Sequence, residues 1–255
     1  MTTSPACSAP TVLVLGGTKE GRALVTALRE RFVAQLRVIL SLSSSMHGDY
    51  TSYKDLHMGP FGGVEGLKAY LQDEHVAAVL AATHPFATTI AHNVSLACEA
   101  CGVPHLILRR PPWVCTPADR WIEVDDMTEA AQRLPTIGRR AFLTIGTRAL
   151  PIFSASRDMW FLIRLPRNIP LPRHMPPHRL VIGCGRDGND LHLMRLHAID
   201  VLVTKASGGA ETAGKIAAAR TLALPVLMIR RPPAESGWTV STVPAAVAWV
   251  EATVG

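Results

Sequence analysis

Five consecutive residues, Thr11 to Leu15 (TVLVL), run into a pair of glycines and then into a helical pattern, and few folds accommodate that order. A short continuous apolar run rich in β-branched residues suits a strand buried on both faces of a parallel sheet. Gly16 and Gly17 end it, and Ala23, Leu24, Ala27 and Leu28 then recur at helical spacing. Leu36 to Leu42 reads as the next strand, which completes a βαβ unit. The alternation continues with a helix over Gly66 to His75, a strand over Ala77 to Ala82, a helix over Thr88 to Cys101 and a strand over Pro104 to Arg109. Strict alternation of this kind predicts an α/β fold with a doubly wound, mostly parallel sheet flanked by helices.

The serine- and glycine-rich segment Ser43 to Gly63 reads as a loop region with room for one short strand. Further along, strands are predicted at Trp121 to Val124, Phe142 to Ile145, Trp160 to Leu165, Leu180 to Gly183, Val201 to Val203 and Val226 to Ile229. Helices are predicted over Thr128 to Leu134, Asp190 to His197, Thr212 to Leu222 and Ala245 to Val254. The proline-rich stretch Pro166 to Pro177 can continue neither a helix nor a central strand.

The chain also repeats itself. Ala78-Val-Leu-Ala-Ala leads through a helix to Gly102-Val-Pro-His-Leu-Ile-Leu-Arg-Arg-Pro-Pro, and Asp200-Val-Leu-Val-Thr leads to Leu224-Pro-Val-Leu-Met-Ile-Arg-Arg-Pro-Pro. The two stretches stay in register to within one residue, so we read two Rossmann-like halves with a ligand cleft between them. The expected division is a disordered tail over 1–10, a dinucleotide-binding half over 11–115 and a substrate-binding half over 116–255.

Composition narrows the function. With 48% hydrophobic and 18% charged residues the chain is a folding sequence, and no apolar run reaches the length of a membrane-spanning helix. The start lacks a secretory pattern, which points to the cytoplasm. Five scattered cysteines, Cys7, Cys98, Cys101, Cys115 and Cys184, fit reduced thiols; Cys98 and Cys101 have C-x-x-C spacing but no second pair to complete a zinc shell. The formal net charge of +6 calls for an anionic partner, while 5% aromatic residues and no interleaved basic tract argue against nucleic acid. A negatively charged metabolite or a phosphate-bearing cofactor fits.

Three motifs sit where such a partner would bind. The turn Gly16-Gly17-Thr18-Lys19-Glu20-Gly21-Arg22 joins a buried strand to a helix start, where free N–H groups and the helix dipole favour a diphosphate. No acidic residue follows about twenty positions on; Ser41, Ser43, Ser44 and Ser45 stand there instead, with Arg22 nearby. Hydroxyls in place of the acid accommodate a 2′-phosphate, so NADP is favoured over NAD. A tight glycine turn without a ligand is the alternative. Thr83-His84-Pro85-Phe86 follows a strand end, where His84 is a candidate proton donor or simply a structural histidine. Thr204-Lys205-Ala206-Ser207-Gly208-Gly209, followed by Glu211, Thr212 and Lys215, is the matching edge in the second half and is suited to anions.

Taken in order, G-G-T-x-E-G-R, T-H-P-F-A and K-x-S-G-G, with K-I-x-A-A and P-V-x-x-I-x-R-P downstream, resemble the precorrin-6A reductases of cobalamin biosynthesis, from Val12 to Pro232. The resemblance implies an oxidoreductase that uses NADPH, without flavin or metal, to reduce one double bond of the precorrin-6A macrocycle to precorrin-6B. It implies that Gly16, Gly17, Thr18, Glu20, Gly21 and Arg22 hold the dinucleotide, with Ser43 and Ser44 near its adenosine phosphate and Thr83, His84 and Pro85 near the nicotinamide. Lys205, Ser207, Gly208, Gly209, Thr212 and Lys215 would then meet the substrate. Two departures from the family pattern are Ala81-Ala82 before T-H-P and Gly183-Cys-Gly-Arg-Asp-Gly188 in place of G-P-F. The expected partners are a polyanionic tetrapyrrole and neighbouring enzymes of the same pathway, with no nucleic acid and no membrane. Another NADP-dependent reductase of a carboxylated small molecule, or a non-catalytic dinucleotide-sensing module, are the alternatives.

Overall fold

A computed structural model describes residues 9–43, 53–185 and 188–254. Most of the expected N-terminal tail, Ser44, and part of the 183–188 turn lie outside them. The first stretch runs β1 (Thr11–Leu15), α1 (Lys19–Arg31), β2 (Arg37–Leu42), β3 (Leu56–Met58), α2 (Gly63–Asp73), β4 (Val76–Ala81), α3 (Thr88–Cys101) and β5 (His105–Leu108). The second runs β6 (Arg120–Val124), α4 (Met127–Ile137), β7 (Arg140–Thr144), α5 (Leu150–Phe153), β8 (Trp160–Leu165), β9 (His178–Ile182), α6 (Asp190–Leu196), β10 (Val201–Lys205), α7 (Gly214–Thr221) and β11 (Pro225–Ile229). The chain closes with β12 (Trp238–Val240) and α8 (Val243–Val254).

These elements form two six-stranded sheets, in the orders β12-β5-β4-β1-β2-β3 and β6-β11-β10-β7-β8-β9, and every strand pairing among the described residues is parallel. Along β1 the side chains alternate between two cores. Val12 and Val14 face Leu24, Leu28, Ala246 and Val250, whereas Leu13 and Leu15 face Leu67, Leu71 and Val94. Helices on both faces explain why the strand shows no polar alternation, since each such side chain removed from water contributes roughly 1.5–3 kcal/mol.

The chain divides into two compact units. One holds the described residues up to Arg110 together with those from Pro232 onward, and the other holds Pro111–Arg231. This corrects the expected second half of 116–255. The closing segment belongs to the first unit because Trp238, Thr239 and Val240 pair with Leu106, Ile107 and Leu108, and because Ala246 and Val250 of α8 are wholly buried in the first unit's core. In return, β6 pairs with β11 and α4 buries Ala130 and Leu134 in the second unit. Each unit thus takes one edge strand and one helix from the segment that follows the other's Arg-Arg-Pro-Pro. The repeated tetrapeptide marks the two places where the chain changes units, at 110/111 and 231/232.

Candidate functional site

In the first sheet the chain order reverses between β1 and β4, and in open α/β sheets ligands bind at the carboxyl ends of the strands that flank such a reversal. The Gly16–Arg22 turn stands there. The Gly16 N–H donates to the Ser41 carbonyl at 2.8 Å, and Gly17 adopts φ +104°, a left-handed conformation open to glycine. Thr18 is the N-cap of α1: its hydroxyl accepts from the Gly21 N–H at 3.0 Å and donates to the Ala82 carbonyl at 2.7 Å. One buried hydroxyl therefore ties the helix start to the end of β4. A Cβ on Gly21 would stand 3.1 Å from the Gly16 Cα and 3.4 Å from the Ala82 carbonyl, so the turn closes tightly only with glycine at that position. Glu20 receives the Arg110 guanidinium at 3.4 Å, which offsets a carboxylate that would otherwise repel an anion at the helix start. Arg22 is half-buried on the first turn of α1, and Ser43 is exposed beyond the end of β2. Backbone donors, a 13-residue helix and hydroxyls without an acid at the second strand fit a dinucleotide carrying a 2′-phosphate.

Beside the turn, Thr83, His84 and Pro85 follow β4 and line a small cavity together with Thr88, Arg109 and Glu235. The Phe86 N–H donates to His84 Nδ1 at 3.2 Å. An accepting Nδ1 places the neutral ring's proton on Nε2, so His84 presents a donor through that nitrogen. His57, a residue to which the sequence assigned no role, stacks on Phe61 with ring centroids 4.2 Å apart, and its Nδ1 lies 3.2 Å from the Ser41 hydroxyl. Burial lowers the His57 pKa and keeps this ring neutral near pH 7.

The second sheet reverses between β7 and β10, and Lys205 closes β10 at that edge. Burial, with Arg148 adding to it, lowers the Lys205 pKa. The loop after it is held from its own unit: Arg231 donates to the carbonyls of Ser207 at 2.8 Å and Pro111 at 3.1 Å, and Trp113 Nε1 donates to the Gly209 carbonyl at 2.9 Å. Gly208 lies at φ +64°, where a Cβ would fall 2.1 Å from the Pro111 carbonyl. The Thr212 hydroxyl donates to the Gly208 carbonyl at 3.4 Å. Ser207 is buried, and Lys215 on α7 is also buried, with its ammonium 5.4 Å above the Trp113 ring. Next to this edge an ion pair between Arg164 and Asp190 is nearly inaccessible to water, at 6% and 2% side-chain exposure.

The first set of predicted residues, Gly16 to Arg22 with Ser43, Thr83, His84 and Pro85, thus belongs to one unit; the second, Lys205 to Lys215, belongs to the other. Arg110, Arg148, Arg231 and Trp113 escaped the sequence reading. The signal available for two of them was the repeated Arg-Arg-Pro-Pro itself.

Two Rossmann-like sheets, one carrying a turn shaped for a diphosphate and the other a basic edge, define the class to which this chain belongs. The chain is a member of the precorrin-6x reductase family CbiJ/CobK, whose profile matches residues 11–251. It is 41% identical over 245 residues to the precorrin-6A reductase of Rhodococcus erythropolis, covering 94% of this chain and 96% of that one. It is 27% identical to the cobalt-precorrin-6A reductase of Salmonella typhimurium, covering 87% of each. A solved CobK precorrin-6A reductase superposes with a TM-score of 0.88 at 34% identity, over 96% of this chain and 97% of the other. No helix among the described residues is long and apolar enough to cross a membrane.

Proposed function

We propose that this chain reduces one double bond of precorrin-6A with NADPH, giving precorrin-6B, as a cytoplasmic step of cobalamin biosynthesis. The observation that carries the reading is the Gly16–Arg22 turn, capped by Thr18 at the reversal point of the first sheet, in a chain of this family. When bound, NADPH supplies the hydride. The chain's own part is placement and charge. The N–H groups of the turn and the α1 dipole hold the diphosphate, Ser43 and Ser44 are assigned to the adenosine phosphate, and Thr83 and Pro85 to the nicotinamide. His84 is the candidate donor of the proton that completes reduction, through Nε2. Lys205 and the hydroxyls and N–H groups of the following loop meet the carboxylates of the macrocycle, and neighbouring enzymes of the pathway are candidate partners in passing it on. The metal-free substrate is favoured because five relatives at 36–41% identity are named precorrin-6A reductases, whereas those named for the cobalt form are at 24–27%.

The test is to mix purified protein with NADPH and precorrin-6A and to follow the nicotinamide absorbance and the mass of the macrocycle. Oxidation of NADPH with a gain of two hydrogens in the macrocycle is expected. Tight NADPH binding without turnover would favour a sensing module. Turnover only with a different carboxylated acceptor would favour another reductase.

A further inference from the structure

The second unit has its own counterpart of the dinucleotide turn. Leu15 of β1 pairs with both Ser41 and Ala81, and Leu143 of β7 pairs with both Ile163 and Val203, so β7 is to the second sheet what β1 is to the first. Beyond β7 the chain reads Gly146-Thr147-Arg148-Ala149-Leu150, a shortened echo of the Gly17-to-Leu24 stretch. Gly146 turns at φ +80°, but only a 3-10 turn over Thr147–Ala149 and the four-residue α5 follow, with Pro151 near its start. A helix so short offers neither the dipole nor the row of N–H groups that α1 supplies. An anion beside this turn has no helix start to meet and draws on side chains instead.

Two cations stand there. Arg148 follows β7 and Lys205 ends β10, the two strands that flank the reversal point. Arg148 is exposed, and among the described residues it makes no hydrogen bond or ion pair. Its positive charge is felt at the Lys205 ammonium, which burial already disfavours. Thr144 of β7 pairs with Thr204 of β10, so both cations follow adjoining strand ends, where a guanidinium can fork onto a carboxylate while an ammonium adds a point charge.

Building on the precorrin reading, we propose that Arg148 joins Lys205 in a clamp for one carboxylate of the macrocycle, and so is a further substrate-binding residue. The test compares wild type, Arg148→Gln and Arg148→Lys, all checked for fold by circular dichroism. Precorrin-6A is titrated by its own visible absorbance without cofactor, then in steady-state turnover, and NADPH affinity is measured by fluorescence. Losing one charge-assisted contact should weaken macrocycle binding by about tenfold in Arg148→Gln, mainly as a rise in KM, with NADPH affinity retained. Arg148→Lys should recover part of the loss, and added salt should narrow the gap between wild type and Arg148→Gln. A working wild type whose macrocycle affinity is unchanged in Arg148→Gln overturns the clamp alone. A wild type that neither binds nor reduces the macrocycle overturns the reductase reading and the clamp with it.

Discussion

The two units share a strand order and differ in what stands at the carboxyl ends of their strands. The first presents main chain there: Gly16, Gly17, the Thr18 cap and a 13-residue helix, which in the proposed reading meet the dinucleotide. The second has only a four-residue helix after β7 and carries side chains at that edge, Lys205 and Arg148, with Arg164 and Asp190 beneath, which in the proposed reading meet the macrocycle. An exchanged strand and helix complete each core in the same way, so the scaffold tolerated the divergence. Main-chain donors suit a diphosphate, which every dinucleotide presents alike. Side chains suit a macrocycle whose carboxylates have fixed positions.

The sharpest break in the comparison lies inside the sheets. Beneath the second unit's edge, Arg164 of β8 pairs with Asp190 of α6 at 6% and 2% side-chain exposure, its guanidinium over the Phe142 ring. Among the described residues the first unit buries no charged side chain, so this pair has no counterpart there. Asp190→Ala would leave the Arg164 cation uncompensated and should cost about 3–5 kcal/mol, read as a lower denaturation midpoint. The double change Arg164→Leu with Asp190→Leu, which removes both charges and leaves an apolar pair, should recover most of the loss. Recovery that fails to appear would show that the pair organises the glycine-rich turn it adjoins: a Cβ on Gly185 would meet the Arg164 guanidinium 2.5 Å away.

Next in size is the cofactor turn. Gly17→Val imposes a β-branched side chain on φ +104°, a conformation costing roughly 1–3 kcal/mol. NADPH affinity should fall by at least about tenfold, measured by fluorescence titration, and macrocycle affinity should fall far less. Equal losses of both ligands would contradict the division of labour between the units.

The strand positions of both sheets were legible because buried parallel strands are continuous apolar runs, as in TVLVL and WFLIRL. The Gly16–Arg22 turn was legible for the same reason, since glycines between such a run and a helical pattern are conspicuous. The exchange of segments was not. β12 is three residues flanked by serine, threonine and glycine, and nothing local tells a Trp-Thr-Val strand which sheet it joins. Arg148 was missed because its turn had lost the helix that makes such turns recognisable, and Asp190 because a carboxylate at a helix start is ordinarily a solvated cap. Its burial depends on Arg164, 26 residues away in sequence.

A smaller effect separates stability from function at Lys205. Burial and Arg148 lower its pKa, so the folded chain binds its proton less readily than the unfolded chain does. Between the lowered value and the ordinary lysine value the unfolded state holds more protons, and this residue's contribution to stability therefore rises with pH through that window. Below the window the protonated, half-buried ammonium is a constant cost. Lys205→Met should accordingly raise the melting temperature at neutral pH, with a gain that shrinks as the solution is made alkaline, while macrocycle affinity falls. A melting temperature that drops instead would mean that the contacts Lys205 makes in the fold outweigh the cost of burying its charge.

The smallest effect compares two helix ends that do the same work with different residues. α3 ends in Gly102 at φ +65°, with the Gly102 N–H on the Glu99 carbonyl and the Val103 N–H on the Cys98 carbonyl. α7 ends in Ala223 at φ +51°, with the Ala223 N–H on the Arg220 carbonyl and the Leu224 N–H on the Ala219 carbonyl. The hydrogen bonding is identical, but the second unit places a Cβ where the left-handed conformation penalises one. A Cβ at Gly102 would meet nothing within 4 Å, so the difference is one of backbone preference and not of packing. Ala223→Gly should therefore stabilise by about 1 kcal/mol, and Gly102→Ala should destabilise by a similar amount, both read from chemical denaturation. Because the two sites sit at corresponding places in duplicated units, opposite shifts of equal size would show that the two helix ends are energetically equivalent. A silent Ala223→Gly would mean that α7 has traded its terminal geometry for contacts that α3 lacks.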